Sequence, residues 1–379
     1  MNKTINSIEE LPSPCFVCEE ELLKKNLELL KKVQDEAGVK ILLALKGFAL
    51  WSTFDICKEF LQGCCASGLH EAILAKEEFG KEVHTYSPAF KDEEIDEIIH
   101  LSHHLVFNSF NQLNQFRQKA MGKTSIGLRV NPEYSSVEVD LYNPCAPFSR
   151  LGITKKNFQE DSLQGVDGLH FHALCEQNVD ALEGALKNFE KNFGKYLSNM
   201  KWVNFGGGHH ITRADYDVLG LINLLKDFKL RYPHLTVYLE PGEAVGWKTG
   251  FLIATVLDIV DNGMNLAILD TSAEAHMPDT LAMPYRADIR NSGKENEKKY
   301  TYRLGGNTCL AGDIIGDYSF DEPLKIGDKI ILEDMIHYTM VKTTTFNGIK
   351  LPSIALKSEH NCYQIVKNFG YNEYKSRLS

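Results

Sequence analysis

The stretch ILLALK at residues 41–46 is the first of eight short apolar runs that decide the fold of this 379-residue chain. Between the runs lie amphipathic stretches, such as FNQLNQFRQKA and NVDALEGALKNFEKNF, whose apolar residues are three and four positions apart. This alternation is typical of repeated β-α units. The runs are ILLALK (41–46), GCCAS (63–67), EVHTYS (82–87), HLVFNS (104–109), SIGLRVN (125–131), GLHFHAL (168–174), KWVNFGG (201–207) and TVYLEPG (236–242).

Repeated β-α units of this number predict an α/β protein with a closed (β/α)8 barrel of the TIM type, which uses roughly 250 residues. Most of the runs are almost continuously apolar, as parallel strands covered on both faces require. Polar residues appear at their carboxyl ends, and in a barrel that end carries the chemistry. We place the barrel at residues 20–245 and expect Ser67 and Asn178 to cap the helices that follow them.

After residue 245 the helical periodicity largely disappears. β-Rich segments follow, with the turn signals DNG (261–263), IGD (326–328) and FNG (346–348). We expect a second, all-β domain, similar to a sandwich or barrel, made of residues 1–19 and 246–379. The short run CFVCE at 15–19 would supply one of its strands.

The composition is that of a globular protein with a sizeable core, since 43% of the residues are hydrophobic and 24% are charged. Lysine and arginine number 41 against 51 acidic residues, the formal net charge is −10, and no basic run occurs. These features argue against a nucleic-acid partner. An acidic balance mostly favours solubility, although it also suits a cationic substrate.

The sequence shows no signal for export or membrane insertion. Its start, MNKTINSIEELPSPCF, lacks the basic beginning and apolar run of a signal peptide, and no stretch approaches about 18 apolar residues. We therefore expect a cytoplasmic protein without a membrane partner, in which the nine cysteines are reduced. Cys15 and Cys18 form a C-x-x-C pair, but no second pair stands at zinc spacing, so no metal is predicted.

Several polar features at the ends of the runs point to one cofactor pocket. Lys46 would lose hydration at the mouth of a barrel, which favours the neutral, nucleophilic amine, although a lone strand-end lysine more often reaches into solvent. Gly206, Gly207 and Gly208 follow the seventh run, where bare backbone amides can converge on a phosphate, although tight turns use glycine too. Glu240 ends the eighth run, where a carboxylate can hold a pyridinium proton.

His172, in HFHAL, lies near the end of the sixth run, where an imidazole can stack on a flat ring. Taken singly, each of these residues could be a satisfied polar group of the core. Together, the lysine, the histidine, the glycine turn and the glutamate describe a pocket for pyridoxal 5'-phosphate. Cys309 in GGNTCLAGD is a further candidate, because a thiol near an acidic residue, Asp313, can donate a proton to a carbanion.

These motifs resemble those of a known family, the fold type III pyridoxal phosphate decarboxylases, which are related to ornithine and diaminopimelate decarboxylases and to alanine racemase. The ordered motifs extend over nearly the whole chain, and the branch of the family that they most resemble acts on carboxylated polyamines. The motifs are LALKGF, CCASGLHE, LRVNP, SRLGI, HFHALCEQ, NFGGGHH, EPGEA, GGNTCLAGD and HYTMVKTTTFNG.

The resemblance implies a role for each motif residue. Lys46 would bond covalently to the cofactor, His172 would stack on its ring, and Glu240 would pair with the ring nitrogen. Cys309 would protonate the decarboxylated carbon, reaching the barrel of the other subunit in a head-to-tail homodimer. The implied phosphate contacts are the backbone of Gly206, Gly207 and Gly208 together with Cys175 and Tyr338.

Two departures from the family pattern bear on the substrate. Ornithine and diaminopimelate decarboxylases carry EPGR, with the arginine on the phosphate, whereas this chain has EPGE, and a carboxylate there needs a cationic partner. The acidic residue that usually follows the cysteine is Leu310 here. A polyamine with a terminal carboxylate is a flexible polycation whose ammonium groups need acidic partners. The candidate contacts are Glu243, Asp279 and Asp313 for the ammonium groups and Arg150 for the carboxylate.

Three alternatives stay open at this point. Decarboxylation of meso-diaminopimelate or ornithine would use the same fold, although EPGE and Leu310 disfavour it. Racemization is disfavoured because a two-base racemase needs a tyrosine where Cys309 stands, and a non-catalytic carrier of pyridoxal phosphate usually lacks the second domain. Two carboxylated polyamines that differ by one methylene stay indistinguishable, because a methylene changes binding by only about 1–3 kcal/mol.

Overall fold

The computed structural model describes residues 5–379 of the chain. It divides into two compact units, of which one is Lys25–Val245 and the other consists of the residues up to Lys24 together with Gly246–Ser379. Residues 1–4, which the sequence assigned to the second domain, lie outside the described residues. Within residues 5–379, no helix is both long and apolar enough to cross a membrane.

The first unit confirms the predicted (β/α)8 barrel. Its strands are all parallel and pair in chain order, and the first pairs with the last through Lys40↔Tyr238 and Ile41↔Leu239, which closes the barrel. Each apolar run of the sequence overlaps one strand. Strand β1 (Cys15–Glu19) precedes the barrel, whose strands are β2 (Lys40–Ala44), β3 (Gly63–Ala66), β4 (Glu82–Tyr86), β5 (His104–Phe107), β6 (Ser125–Arg129), β7 (Val166–His170), β8 (Trp202–Asn204) and β9 (Thr236–Leu239).

The helices between the strands follow the predicted amphipathic stretches. They are α1 (Glu20–Ala37), α2 (Phe54–Phe60), α3 (Leu69–Leu74), α4 (Ile95–Leu101), α5 (Phe110–Ala120), α6 (Val179–Phe193), α7 (Val218–Arg231) and the short α8 (Glu243–Gly246). As predicted, the Asn178 side chain caps α6 by accepting the N–H of Val179 at 2.8 Å. The predicted cap at Ser67 is wrong, because α3 begins after Gly68 and the Ser67 N–H instead donates to the Glu71 carboxylate at 2.6 Å.

The second unit is mostly sheet, and its described residues also include several short helices that the prediction of an all-β domain did not contain. Its elements after residue 246 are β10 (Gly250–Asp261), β11 (Asn265–Leu269), α9 (Ala273–His276), α10 (Pro278–Ala282), β12 (Tyr300–Gly305), β13 (Ile314–Phe320), β14 (Lys329–Glu333), α11 (Tyr338–Val341), β15 (Ser353–Lys357), β16 (Tyr363–Lys367) and α12 (Tyr371–Ser376). Strand β1 pairs with β10 antiparallel and with β15 parallel, and the DNG turn joins β10 to β11 as predicted. The sheet order is β13-β12-β11-β10-β1-β15-β16, with β14 beside β10.

Large rings fill part of the barrel interior, where branched aliphatic side chains are usual. The His104 ring stacks on His84 at 3.9 Å and on Trp202 at 4.4 Å between ring centroids. Two glycines make room for the indole, because a Cβ on Gly127 or Gly168 would lie 2.3 or 2.1 Å from it. A cavity of about 930 Å³ opens at this amino-terminal end of the barrel, and the strand-start residues that line it include Lys40, Glu82, His104 and Ser125.

We predict that His104 makes the barrel less stable in acid. Burial, reinforced by repulsion from His84, lowers the pKa of His104 to about 2, so the folded chain keeps this ring neutral. In the unfolded chain the pKa is about 6.5. The unfolded state therefore takes up a proton as the pH falls below 6.5, and the free energy of unfolding drops by about 1.4 kcal/mol per pH unit from this residue. Unfolding midpoints measured from pH 7.5 to 5 check this.

The variant His104→Phe keeps a ring in the stack but removes the titration, so its midpoint should fall less steeply with pH than that of the wild type. His360→Phe, at an exposed histidine of the second unit, is the matched control and should keep the wild-type slope. Equal slopes in all three proteins would contradict the prediction.

Candidate active site

Lys46 lies in a tight turn two residues after β2. The N–H groups of Gly47 and Phe48 both donate to the Ala44 carbonyl, at 3.0 and 3.2 Å, which turns the chain over the end of the strand. Leu45 and Phe48 are buried, whereas Lys46 itself is exposed. The loss of hydration that the sequence predicted for this lysine is therefore not found. Its amine is instead accessible at the carboxyl end of the barrel.

The glycines at 206–208 form a turn that packs directly on backbone. Gly206 and Gly208 have φ angles of 70° and 82°, in the left-handed region that favours glycine. A Cβ on Gly207 would lie 2.4 Å from the Glu240 carbonyl oxygen, and one on Gly208 would lie 2.1 Å from the Leu174 carbonyl oxygen. No side chain fits at these positions, so the turn presents bare backbone.

Among the described residues, two N–H groups of this turn donate to side chains, and the next two do not. The first glycine donates to Oδ1 of Asn204 and the second to Nδ1 of His172, both at 2.8 Å. The N–H groups of Gly208 and His209 donate to no other residue in the described part of the chain. Two free backbone donors in succession suit an anion. A phosphate at this turn would find its backbone donors at 208 and 209 rather than at the first two glycines.

Glu240 follows β9 directly and is buried, with 7% of its surface exposed. Nδ2 of Asn204 donates to its Oε1 at 2.6 Å, while Nε2 of His170 lies 3.6 Å from its Oε2. Burial alone raises the pKa of Glu240, but the charge that His170 can carry and the Asn204 donor outweigh burial and lower it to about 2. The carboxylate is ionised at neutral pH, as the acceptor of a ring N–H must be.

His172 is held as one tautomer two residues beyond β7. Its Nδ1 accepts the N–H of Gly207, so the neutral ring carries its proton on Nε2. Burial lowers the pKa of His172 well below the ordinary range, and the positive charges of Lys46 and Arg129 lower it further. The ring is therefore neutral and fixed in orientation at pH 7.

Three further predicted residues lie in segments that follow barrel strands. Cys175 abuts the glycine turn, because a Cβ on Gly208 would lie 2.9 Å from the Cys175 nitrogen. Glu243 begins α8, and a Cβ on Gly47 would lie 2.9 Å from its nitrogen. Arg150 is exposed on the loop after β6. The barrel unit thus brings Cys175 to the glycine turn and the backbone of Glu243 to the Lys46 turn.

In the second unit, Asp279 is joined to the helix that Tyr338 begins. Its Oδ2 accepts the Thr339 hydroxyl at 2.9 Å and the Tyr285 hydroxyl at 3.1 Å. Only 8% of Asp279 is exposed, yet its Oδ1 has no hydrogen-bond partner among the described residues. A buried carboxylate oxygen without a partner is costly. This is the pattern expected of a site for a cationic ligand.

Cys309 is exposed on a loop that Asp313 anchors. The Cys309 N–H donates to Oδ1 of Asn347 at 2.9 Å. The buried Asp313 carboxylate already accepts several hydrogen bonds, which favours a structural role over the predicted substrate role. Its donors are the hydroxyls of Ser272 (2.9 Å) and Thr308 (2.6 Å) and the backbone N–H groups of Ala273 (2.7 Å), Glu274 (3.4 Å) and Thr308 (3.2 Å).

Sequence reasoning missed three buried polar residues of the barrel, Arg129, His170 and Asn204. Each is the last residue of its strand, and the Arg129 guanidinium lies 4.5 Å from the centroid of the Tyr86 ring. A polar residue at the end of an apolar run is the signal that singled out Glu240, and it could have found these as well. The described residues include no group of three or more His, Cys, Asp or Glu side chains that could bind a metal.

Known proteins resemble this chain in sequence and in fold. The model of the family described as pyridoxal-dependent decarboxylase, C-terminal sheet domain, matches residues 15–336. The chain belongs to the pyridoxal-dependent decarboxylases. This decarboxylase is 54% identical to the carboxynorspermidine/carboxyspermidine decarboxylase of Campylobacter jejuni, over 97% of this chain and 99% of the other. The family that the motifs indicated is confirmed.

Two other proteins extend the comparison. The decarboxylase is 46% identical to the carboxyaminopropylagmatine decarboxylase of Synechocystis, over 98% of this chain and 96% of the other. A crystal structure of carboxynorspermidine decarboxylase from Campylobacter jejuni, complexed with norspermidine, matches with a TM-score of 0.91 at 52% identity. That match covers 97% of this chain and 100% of the other.

We predict that Gly207→Ala weakens the binding of pyridoxal phosphate about tenfold or more. The added Cβ would displace the glycine turn from the Glu240 carbonyl, and overpacking of this kind costs about 1–3 kcal/mol, of which 1.4 kcal/mol is a factor of ten in affinity. Cofactor retained after equilibrium dialysis measures the effect. Gly68→Ala is the control, since that residue has an extended φ of 176° and its Cβ would meet nothing within 4 Å. Equal retention in both variants would refute the prediction.

Proposed function

We propose that this decarboxylase removes the carboxylate group of carboxynorspermidine and carboxyspermidine, with pyridoxal 5'-phosphate as its cofactor, and so forms norspermidine and spermidine. The observation that carries the substrate class is the 54% identity to the Campylobacter jejuni enzyme along almost the whole of both chains. A solved structure of carboxynorspermidine decarboxylase from Campylobacter jejuni is a complex with norspermidine, which would be the product of this reaction.

Residues at the carboxyl end of the barrel suit both ends of pyridoxal phosphate. Glu240 is ionised and buried, so it can accept a hydrogen bond from the ring nitrogen, and the free N–H groups of Gly208 and His209 suit the phosphate. When bound, such a cofactor takes up the electron pair of the broken bond in its protonated ring. Cys175 and Tyr338 stay proposed as further phosphate contacts.

Three side chains of the barrel would then act on the reacting groups. Lys46 presents an exposed amine from a tight turn, where it can hold the cofactor covalently and later release the product. Glu240 keeps a proton on the ring nitrogen because its own pKa is low. His172 presents a flat, neutral ring whose orientation is set by the Gly207 N–H, so it can support the cofactor ring without adding a charge.

After carbon dioxide leaves, a proton must be added to the carbon that held it. We assign this step to the Cys309 thiol, which is exposed on the loop that Asp313 anchors. In the homodimer that we propose, Cys309 of one protomer serves the barrel of its partner. The free state of all nine cysteines suits a reducing compartment, which supports a cytoplasmic location.

The substrate is a polycation with one carboxylate, and acidic residues can bind its ammonium groups. Asp279 is the best-supported of these candidates, because its buried Oδ1 has no hydrogen-bond partner among the described residues. Glu243 lies beside the Lys46 turn, at the position where related decarboxylases carry the arginine of EPGR. Arg150, which is exposed, stays the proposed partner of the carboxylate.

A second candidate substrate is carboxyaminopropylagmatine, favoured by the 46% identity to the Synechocystis enzyme over 98% of this chain. An agmatine derivative ends in a planar guanidinium group rather than an ammonium group. A carboxylate with both oxygens available would bind it in a bidentate manner. Because Oδ2 of Asp279 already accepts two hydroxyl groups, this site suits the compact ammonium group better.

A carbon dioxide release assay tests the proposed function. Carboxynorspermidine and carboxyspermidine should be turned over faster than carboxyaminopropylagmatine, diaminopimelate or ornithine. Lys46→Ala should lose both turnover and the near-visible absorbance of the bound cofactor, whereas Lys76→Ala, at an exposed lysine of the same unit, should keep both. Equal or better activity on diaminopimelate or ornithine would overturn the proposed substrate class.

We predict that Asp279→Asn raises the KM for carboxynorspermidine about tenfold or more with a smaller effect on kcat. The change removes the negative charge but leaves a group of the same size, and a hydrogen bond to a charged group contributes about 1.5–3 kcal/mol. The cofactor content should not change. Asp288→Asn, at an exposed residue of the same unit, should keep the wild-type KM, and an equal KM in both variants would remove Asp279 from the substrate site.

A further inference from the structure

Asn204 links the glycine turn to the Glu240 carboxylate with a single side chain. It is the last residue of β8 and is 1% exposed. Its Oδ1 accepts the Gly206 N–H at 2.8 Å, and its Nδ2 donates to Oε1 of Glu240 at 2.6 Å. A backbone N–H can only donate, so the amide has one possible orientation, with its NH2 group toward the carboxylate.

The other neighbours of Glu240 do not replace this donor. Nε2 of His170 lies 3.6 Å from Oε2, which is too far for a hydrogen bond, and it has no hydrogen-bond partner among the described residues. Burial raises the pKa of the Cys65 thiol well above its ordinary value, and a neutral thiol is a weak donor. Glu240 also interacts electrostatically with His84 and His209.

The same side chain also fixes the start of the glycine turn. Because Gly206 donates to Asn204, and the Glu240 N–H donates to the Gly206 carbonyl at 2.8 Å, the turn and the strand end are bonded in both directions. The free N–H groups of Gly208 and His209 follow two and three residues later. A shift of Asn204 would therefore move the carboxylate and the phosphate donors together.

We propose that Asn204 is a positioning residue that couples the carboxylate for the cofactor ring to the backbone donors for its phosphate. The inference rests on the proposed use of pyridoxal phosphate and goes beyond it. It proposes that Asn204, which has no proposed contact with the cofactor, sets the spacing between the Glu240 carboxylate and the backbone donors. An amide donates at every pH, whereas an acid in its place donates only while protonated. This difference makes the inference testable with an isosteric variant.

Asn204→Asp places a second carboxylate 2.6 Å from Glu240. Two acids this close share a proton, and their joint titration moves upward in pH. At low pH the shared proton restores the donor, so cofactor binding should approach that of the wild type. As the pH rises, the shared proton is lost and the two carboxylates repel each other. The ratio of the dissociation constant of pyridoxal phosphate in the variant to that in the wild type should therefore increase about tenfold or more.

The experiment starts from holoenzyme and measures cofactor loss by dialysis and absorbance from pH 6 to 9. Asn204→Leu, which has neither donor nor acceptor, should bind the cofactor at least tenfold more weakly at every pH. Asn192→Asp adds the same charge at a half-buried asparagine of α6 that donates to a backbone carbonyl at 3.2 Å, and its ratio to the wild type should not change with pH. Circular dichroism confirms that each variant is folded.

Each outcome decides the inference. A pH-dependent ratio for Asn204→Asp alone supports it, even if carboxynorspermidine turns out not to be a substrate, because cofactor binding is measured without turnover. A flat ratio for Asn204→Asp, or wild-type affinity in Asn204→Leu, overturns it and leaves the proposed function standing. A wild-type chain that binds no pyridoxal phosphate overturns both.

Discussion

The arrangement of side chains at the carboxyl end of the barrel depends on one buried, ionised carboxylate. Glu240 is almost wholly enclosed, and an isolated charge in such a place would neutralise rather than persist. It stays charged because strands β7 and β8 end in His170 and Asn204, whose side chains face it at 3.6 and 2.6 Å. The close strand pairing of the barrel therefore has a chemical purpose as well as a structural one.

The sequence predicted the barrel because its signal is local and repeated. Each run needs only apolar residues on both faces of a strand, and this requirement is visible in a few letters. The environment of a strand-end side chain is different, since it depends on residues far away in the chain. Lys46 illustrates the limit: the run ILLALK places it correctly at a strand end, but its exposure follows from how the turn at Gly47 and Phe48 is bonded.

Other failures of prediction have the same origin. Serine is a residue type that often caps helices, but Gly68 occupies the cap position of α3. The N–H of Ser67 instead donates to the Glu71 carboxylate. Asn204 was overlooked because it stands next to a glycine run with a stronger signal of its own. Its importance lies in a hydrogen bond to a residue 36 positions later, which no local pattern contains.

The second unit shows that residue type alone does not set a role. Asp279 and Asp313 are both buried aspartates that the sequence offered as equivalent substrate contacts. Hydroxyl and backbone groups of the chain saturate the carboxylate of Asp313, so it closes a loop, whereas Asp279 keeps one oxygen without a partner. The number of donors around each buried acid therefore supports the proposal that Asp279, rather than Asp313, binds the substrate.

The packing of Trp202 restricts which substitutions this barrel can accept during evolution. The indole occupies space that a Cβ on Gly127 or on Gly168 would need, and these glycines belong to two different strands. A larger residue at either glycine is tolerable only after the tryptophan has become smaller, which would first leave a void. Gly127, Gly168 and Trp202 are therefore expected to evolve together. A substitution at one of these positions alone would make the barrel less stable, whereas matched substitutions would keep its interior filled.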